Sequence, residues 1–235
     1  MIKRKRLGQH FLTSNSIAQS IVSEAKISRN DIVFELGTGL GILTPLLCEK
    51  AKKVISVDAD RELYEKAKSK FSYINNLTVE FGDGFQKQDK FSIFVSNLPY
   101  SKSKEAIEWL AITPFSHGVI MVQKEFAEKL LTKSTKSRRS VSIIANYAFE
   151  IEHFLNVGKN NFSPPPKVDS VVLKITKKKS IEKDLIKVLN KMFSYRRKTI
   201  QNIFKQFGKE NLMEKRLDDL SGDEVIELAK KILKR

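Results

Sequence analysis

Short apolar runs rich in Val, Ile and Phe alternate with longer segments of helical periodicity between residues 31 and 175. Such an alternation is typical of a parallel sheet covered by helices, an α/β fold. The predicted strands are 32–36, 53–58, 77–81, 92–96, 118–122, 151–157 and 170–175, the last two as an antiparallel edge pair. The predicted helices between them are 42–50, 62–71, 104–112, 124–131 and 141–149.

Helical patterns also flank the predicted sheet. Residues 14–25 place Ile17, Ile21 and Val22 on one face, with Ser14 as a cap. Residues 177–180 are predicted to be a linker, followed by helices 181–193, 196–207 and 223–233, a short turn near 212–217, and Ser221 as a cap. We predict two domains: residues 1–176 with a Rossmann-like seven-stranded sheet similar to that of class I methyltransferases, and a small all-α domain over 177–235.

Composition narrows the range of functions. The 43 Lys and Arg against 27 Asp and Glu give a net charge of +16, which is typical of a protein with a polyanionic partner, although a merely solvated surface gives the same count. The excess gathers in residues 3–6, in 124–139 and from 174 onward. The single cysteine, Cys48, fits a reducing compartment. No apolar run long enough for a signal peptide or a membrane span is present, so we predict a cytoplasmic protein.

A glycine-rich loop follows the first predicted strand, where residues 37–41 read Gly-Thr-Gly-Leu-Gly. Such a loop lets the backbone turn sharply and approach a ligand closely. The second strand ends at Asp58, 21 residues beyond Gly37, and an acid at that distance can accept hydrogen bonds from both hydroxyls of a ribose. The third strand ends before Asp83, a carboxylate suited to an adenine amino group, although Asp before Gly is also a common turn residue.

This Gly-x-Gly-x-Gly spacing differs from the Gly-x-Gly-x-x-Gly of pyrophosphate sites. S-adenosylmethionine, which carries no phosphate, therefore fits better than NAD, with backbone carbonyls and Glu35 as hosts for its sulfonium charge. We predict no metal site. The cofactor-binding residues predicted in this part of the chain are Gly37, Gly39, Gly41, Asp58, Ala59, Asp83 and Gly84.

The fourth strand is followed by Asn97-Leu98-Pro99-Tyr100. An amino group conjugated to a purine is a poor nucleophile, and two acceptors that take its N–H bonds draw it toward tetrahedral geometry. The Asn97 oxygen and the Leu98 carbonyl, directed by Pro99, supply these acceptors, while Tyr100 stacks on the base. Phe162, before a run of three prolines, is predicted either to close the other face of the adenine or to plug the core beneath the proline turn.

With these motifs in hand, the chain closely resembles the rRNA adenine N6-dimethyltransferase family, and within it the enzymes of the small subunit. The resemblance runs nearly end to end. The matching runs are 7–12 (LGQHFL), the glycine loop with Leu43-Thr44, 57–60 (VDAD), 82–83 (GD), 97–100 (NLPY), 121–127 (MVQKEFA), 162–170 (FSPPPKVDS) and 193–199 (FSYRRKT).

This resemblance implies further site residues and a substrate. His10 and Leu12 join Gly37, Asp58, Asp83 and Asn97 around the cofactor. The reaction is two successive transfers to each of two neighbouring adenines in the hairpin near the 3′ end of small-subunit rRNA, within a ribosomal precursor. Phosphate contacts fall to the helical appendage, and we expect a monomer. The predicted RNA-binding residues are Arg138, Arg139, Arg196, Arg197 and Lys198.

The chain departs from the family pattern in four places. Asp58 replaces the commoner Glu, Thr38 replaces Pro, His10 stands where bacterial members usually have Asn, and Arg138 and Arg139 take the place of a tyrosine and a glycine. Three alternatives stay open: a large-subunit rRNA dimethylase of the antibiotic-resistance type, a non-catalytic RNA-binding factor on the same fold, and a DNA adenine methylase.

Overall fold

The protein, seen as a computed structural model, is described over residues 9–234. The predicted basic run 3–6 and the first two residues of the 7–12 motif lie outside the described residues. The strands are β1 (Phe11–Leu12), β2 (Ile32–Leu36), β3 (Lys53–Asp58), β4 (Leu77–Phe81), β5 (Ile93–Asn97), β6 (His117–Gln123), β7 (Phe149–Val157), β8 (Phe162–Ser163) and β9 (Ser170–Lys177).

A seven-stranded sheet in the order β4-β3-β2-β5-β6-β9-β7 forms the centre of the fold. The pairs from β4 to β6 are parallel, whereas β9 runs antiparallel to both β6 and β7. The predicted antiparallel edge pair is thus confirmed. Strands β1 and β8 form a separate two-stranded antiparallel sheet that the sequence pattern did not predict.

Helices cover both faces of the sheet and complete the C-terminal part. They are α1 (Asn15–Glu24), α2 (Thr44–Lys50), α3 (Arg61–Lys70), α4 (Ser103–Ile112), α5 (Lys124–Leu131), α6 (Ser140–Ala148), α7 (Lys183–Ser194), α8 (Ile200–Lys205) and α9 (Gly222–Leu233). Short 3-10 turns occur at Gly84–Gln86, Tyr100–Lys102, Lys159–Asn161 and Leu217–Asp219.

Most boundaries agree with the prediction, and the caps explain why. The Ser14 hydroxyl accepts from the Ile17 amide, and Ser221 forms a capping box with Glu224. The prediction of a helix over 196–207 is wrong in its first turn. The Lys198 amide donates to the Tyr195 carbonyl at 2.8 Å to close α7, and Thr199 caps a shorter α8.

Successive residues of the central strands feed two hydrophobic clusters, one on each face of the sheet. Val33 and Ile93 belong to one cluster, whereas their neighbours Phe34 and Phe94 belong to the other. The second of these clusters continues into the C-terminal helices through residues such as Leu189. The division of the chain at residues 176 and 177 stays a prediction. No helix in the described range combines the length and apolar character needed to cross a membrane.

Candidate active site

A cavity of about 300 Å³ lies where the parallel strands β2 to β5 reach their carboxyl ends. Open α/β sheets bind ligands at this edge, and the volume falls within the range of small-molecule sites. Residues 9–12 cover one side of it. The predicted site residues that line it are His10, Leu12, Gly37, Gly39, Asp58, Ala59, Asp83, Gly84, Asn97, Leu98, Pro99 and Tyr100.

The glycine loop has the backbone that the motif predicted. Gly37 and Gly39 adopt φ values of +83° and +57°, which L side chains rarely adopt. A Cβ at Gly37 would meet no atom within 4 Å, so the backbone borders open space on its cavity side. Gly41 is not among the cavity-lining residues, because its α-carbon faces the Phe71 ring, which a Cβ would overlap. The structure thus gives Gly41 a packing contact with Phe71, and its contact with the cofactor stays a prediction.

Two carboxylates follow β3 and β4 at the cavity wall. Asp58 is 5% exposed and accepts the Gly39 amide at 2.9 Å and the Asp60 amide at 2.8 Å. Burial raises the pKa of Asp58, and the two amides oppose that shift. Asp83 is exposed and accepts from the Phe85 amide and the Gln86 side chain. Each carboxylate oxygen has two lone pairs, so both residues can still accept from a ligand.

Glu35 supplies a third carboxylate, which is 1% exposed at the end of β2. It accepts from the Thr44 hydroxyl at 2.8 Å and the Ser56 hydroxyl at 2.6 Å, and burial raises its pKa to about 7. A buried acid beside the cavity favours a ligand with positive charge.

The raised pKa of Glu35 predicts a pH effect on stability. The folded pKa of about 7 exceeds the ordinary value of 4.5, so this group's contribution is full below pH 4.5 and is lost as the pH rises through 7. The loss amounts to about 3 kcal/mol. We expect Glu35→Gln to flatten the pH dependence of the free energy of unfolding between pH 5 and 7 in urea titrations. The exposed control Glu49→Gln should keep the wild-type slope, and an equal slope in Glu35→Gln would contradict the assignment.

The Asn97–Tyr100 run projects from the end of β5 into the same cavity as Asp58 and Asp83. The Asn97 amide nitrogen donates to the His10 carbonyl at 3.1 Å, which leaves the Asn97 oxygen as an acceptor. The Leu98 amide donates to the Met121 carbonyl at 3.1 Å and fixes the backbone there. The Tyr100 hydroxyl lies 2.8 Å from the Ser170 hydroxyl, and burial raises the Tyr100 pKa. The geometry therefore brings two acceptors and an aromatic ring together.

Phe162 lies elsewhere. It is 4% exposed, packs in the hydrophobic cluster of Val33, and is not one of the described residues that line the cavity. Its strand β8 pairs with β1, with Phe162 opposite Leu12. Phe162 thus has the placement of the second prediction, an apolar plug, and its assignment as a catalytic residue stays a prediction.

His10 and Leu12 reach the cavity through this same pairing of β1 with β8. Residue-level reasoning missed both, since only the resemblance indicated them. The pairing joins segments about 150 residues apart, and no local periodicity marks a two-residue strand.

The predicted RNA-binding residues divide into two groups. Arg138 is 9% exposed, and its guanidinium donates to the carbonyls of Leu217 and Leu220. Arg196 pairs with Asp218 at 2.9 Å and donates to the Lys136 carbonyl at 2.7 Å. Arg138 is thus buried and joins the 133–139 segment to the C-terminal part, and its role in RNA binding stays a prediction. By contrast, Arg139, Arg197 and Lys198 are exposed.

Known proteins resemble this chain over nearly its full length. A family model described as ribosomal RNA adenine dimethylase matches residues 2–232. The ribosomal RNA small subunit methyltransferase A of Thermotoga neapolitana is 34% identical, with coverage of 96% of this chain and 90% of that protein.

Two solved structures are also similar. A dimethyladenosine transferase from Plasmodium falciparum has a TM-score of 0.80 and 30% identity, covering 95% of this chain and 98% of its own. The 23S rRNA methyltransferase ErmE has a TM-score of 0.67 at 20% identity, covering 95% and 100%, a likeness of fold.

Proposed function

Because the chain belongs to the ribosomal RNA adenine dimethylase family, we propose that it dimethylates two adjacent adenines in the 3′-terminal hairpin of small-subunit rRNA. It is a class I S-adenosylmethionine-dependent methyltransferase that modifies adenine N6 in small-subunit rRNA. The observation that carries the proposal is that Asn97 and Leu98 line the same cavity as Asp58 and Asp83. Two hydrogen-bond acceptors for the target amine, at Asn97 and Leu98, thus lie in the same cavity as two carboxylates suited to the adenosine of the cofactor.

The residues of the cavity fit S-adenosylmethionine. Asp58 would hold the ribose hydroxyls, Asp83 the adenine amino group, and the backbone at Gly37 leaves room for the ligand. Glu35 places a buried carboxyl group beside the cavity, and a cationic ligand would favour its ionised form. The cofactor, when bound, supplies an electrophilic methyl group.

The chain's own residues prepare the amine. The Asn97 oxygen and the Leu98 carbonyl each accept one N–H bond, which draws the nitrogen lone pair out of conjugation. Tyr100, with its hydroxyl fixed by Ser170, stacks on the adenine. The nitrogen becomes strongly acidic once methylated, so its proton passes to water and no strong base is required.

The exposed cations would bind RNA. Arg139, Arg197 and Lys198 project into solvent and are suited to phosphate. We propose that the enzyme acts as a monomer on a ribosomal precursor particle in the cytoplasm.

These phosphate contacts predict a salt effect. The double variant Arg197→Gln/Lys198→Gln should weaken RNA binding and make the negative slope of log affinity against log salt less steep by about 1–2. With fewer phosphate contacts, fewer counterions are released when the RNA binds. Filter binding between 50 and 200 mM salt measures the slope. Lys52→Gln, an exposed lysine near the start of β3, is the matched control. An unchanged slope in the double variant would exclude these residues from the interface.

Purified small and large ribosomal subunits lacking the modification, incubated with radiolabelled cofactor, test the function. We expect label in the small subunit alone, recovered as dimethyladenosine by mass spectrometry. Label only in the large subunit would instead favour a large-subunit rRNA dimethylase of the antibiotic-resistance type. No label in either subunit would favour a binding-only factor.

A further inference from the structure

Residues 9–13 are here called the strap, and its residues 9–12 cover one side of the cavity. The strap is held at one end by the pairing of β1 with β8 and by the Thr13 amide and hydroxyl, which both donate to the Asn161 carbonyl. Phe11 of the strap lies against the glycine loop, where a Cβ on Gly39 would be 3.3 Å from its ring. His10 is the strap residue that faces the Asn97–Tyr100 run.

His10 makes three contacts on this side of the cavity. Its Nδ1 lies 2.8 Å from the Pro164 carbonyl, which can only accept, so Nδ1 carries the hydrogen. Its backbone carbonyl accepts from the Asn97 amide nitrogen. Its ring centroid lies 5.2 Å from that of Tyr100, with the planes tilted by 31°. Two of these contacts link the strap to the Asn97–Tyr100 run, and the third links it to the proline segment after β8.

These contacts restrain the orientation of the Asn97 amide and the position of the Tyr100 ring, on which the proposed chemistry depends. An Asn amide can present either its oxygen or its nitrogen to a ligand, and the bond to the His10 carbonyl commits the nitrogen. The oxygen is thereby left for the adenine amine. The Tyr100 hydroxyl contacts the Ser170 hydroxyl and the Tyr100 ring contacts the His10 ring, so both ends of the side chain to which the proposed function assigns the base are restrained.

We propose that His10 is a positioning residue for the target adenine, through its imidazole anchored on the Pro164 carbonyl. The anchor holds the backbone carbonyl that orients Asn97, and the ring holds Tyr100. This role rests on the proposed function, and it assigns the His10 side chain to the target adenine instead of to the cofactor contact that the family resemblance implies.

The second methyl transfer should depend on His10 more than the first. Adenine offers two N–H bonds to the acceptors at positions 97 and 98, whereas N6-methyladenine offers one. With one hydrogen bond left to fix the nitrogen, a misdirected Asn97 oxygen is no longer compensated by the second acceptor. Loss of the His10 anchor therefore predicts accumulation of monomethyladenosine.

Two substitutions separate the anchor from the ring. His10→Asn keeps an N–H donor near the position of Nδ1 and removes the ring. His10→Phe keeps a ring against Tyr100 and removes the donor. His153→Asn is the matched control, because His153 is exposed on β7 and bonds only to the nearby Asn156 side chain among the described residues.

The experiment follows monomethyladenosine and dimethyladenosine over time by mass spectrometry on unmethylated small subunits, with saturating cofactor and varied subunit concentration. Calorimetry with S-adenosylhomocysteine and thermal unfolding accompany it.

We expect His10→Phe to slow the second transfer about tenfold relative to the first, the effect of one lost hydrogen bond. We expect His10→Asn to raise the half-saturating subunit concentration by about threefold to tenfold, the effect of one lost aromatic contact. Both variants should bind S-adenosylhomocysteine within about threefold of wild type, a difference smaller than one hydrogen bond provides.

The possible results distinguish a positioning role of His10 from a role in cofactor binding and from a failure of the proposed function. A drop in S-adenosylhomocysteine affinity as large as the drop in rate would overturn the proposal and make His10 a cofactor residue alone. Equal slowing of both transfers in both variants would also overturn it, because a general loosening of the strap does not distinguish one N–H from two. Wild-type protein that forms no dimethyladenosine would instead refute the proposed function.

Discussion

Asn97→Ala is expected to lower the rate of methyl transfer at saturating substrate by about 10²–10³-fold, the cost of removing one preorganised polar group from an active site. The side-chain oxygen at 97 is the acceptor that the His10 carbonyl leaves free, and alanine has none. The effect should fall on the rate, since the amine needs this acceptor most as charge develops on the nitrogen. Single-turnover methylation of small subunits measures it.

The matched control for this prediction is Asn30→Ala, an exposed asparagine before β2. It should leave the rate unchanged. RNA binding by Asn97→Ala should stay within about threefold of wild type, because the phosphate contacts that dominate affinity are untouched. If Asn97→Ala methylated within tenfold of wild type, the paired-acceptor mechanism would be excluded, even though the family assignment would stand.

The sheet and the two carboxylates at the cavity wall, Asp58 and Asp83, could be predicted from sequence because the patterns that mark them are local. Strands β2, β3 and β4 begin and end at the predicted residues, since short β-branched runs are bounded by turn residues. Asp58 and Asp83 follow from that assignment, because the carboxyl ends of parallel strands meet at one edge. Once β3 is correctly bounded, the position of Asp58 is determined.

The burial of Phe162 and of Arg138 could not be predicted, because it depends on contacts between distant segments. Phe162 before three prolines looks the same in sequence whether it faces a ligand or the core, and its placement in the core depends on the pairing of β8 with β1. Arg138 counts as a positive charge in any composition, but two carbonyls of the C-terminal part remove it from the surface. Charge patterning identifies basic segments and cannot tell which members are used internally.

Asp58→Ala is expected to weaken cofactor binding by about 100-fold or more, because hydrogen bonds to charged groups contribute about 1.5–3 kcal/mol each. The carboxylate has two functions that alanine removes together. It accepts the Gly39 and Asp60 amides, and in the proposed function it also accepts from the ribose. Asp58→Glu, which restores the residue commoner in the family, keeps the charge and should lose less affinity.

A ligand pair separates these two functions of Asp58. Wild-type protein should bind S-adenosylhomocysteine about tenfold more tightly than its 2′-deoxy analogue, since one hydrogen bond to the carboxylate is lost. Asp58→Ala should bind the two ligands almost equally if the carboxylate contacts the ribose. If the preference for the 2′-hydroxyl survived in Asp58→Ala, the residue would act only by shaping the glycine loop, and the ribose contact would belong to another group. Calorimetry measures both affinities, with Asp223→Ala, an exposed acid in the first turn of α9, as the control.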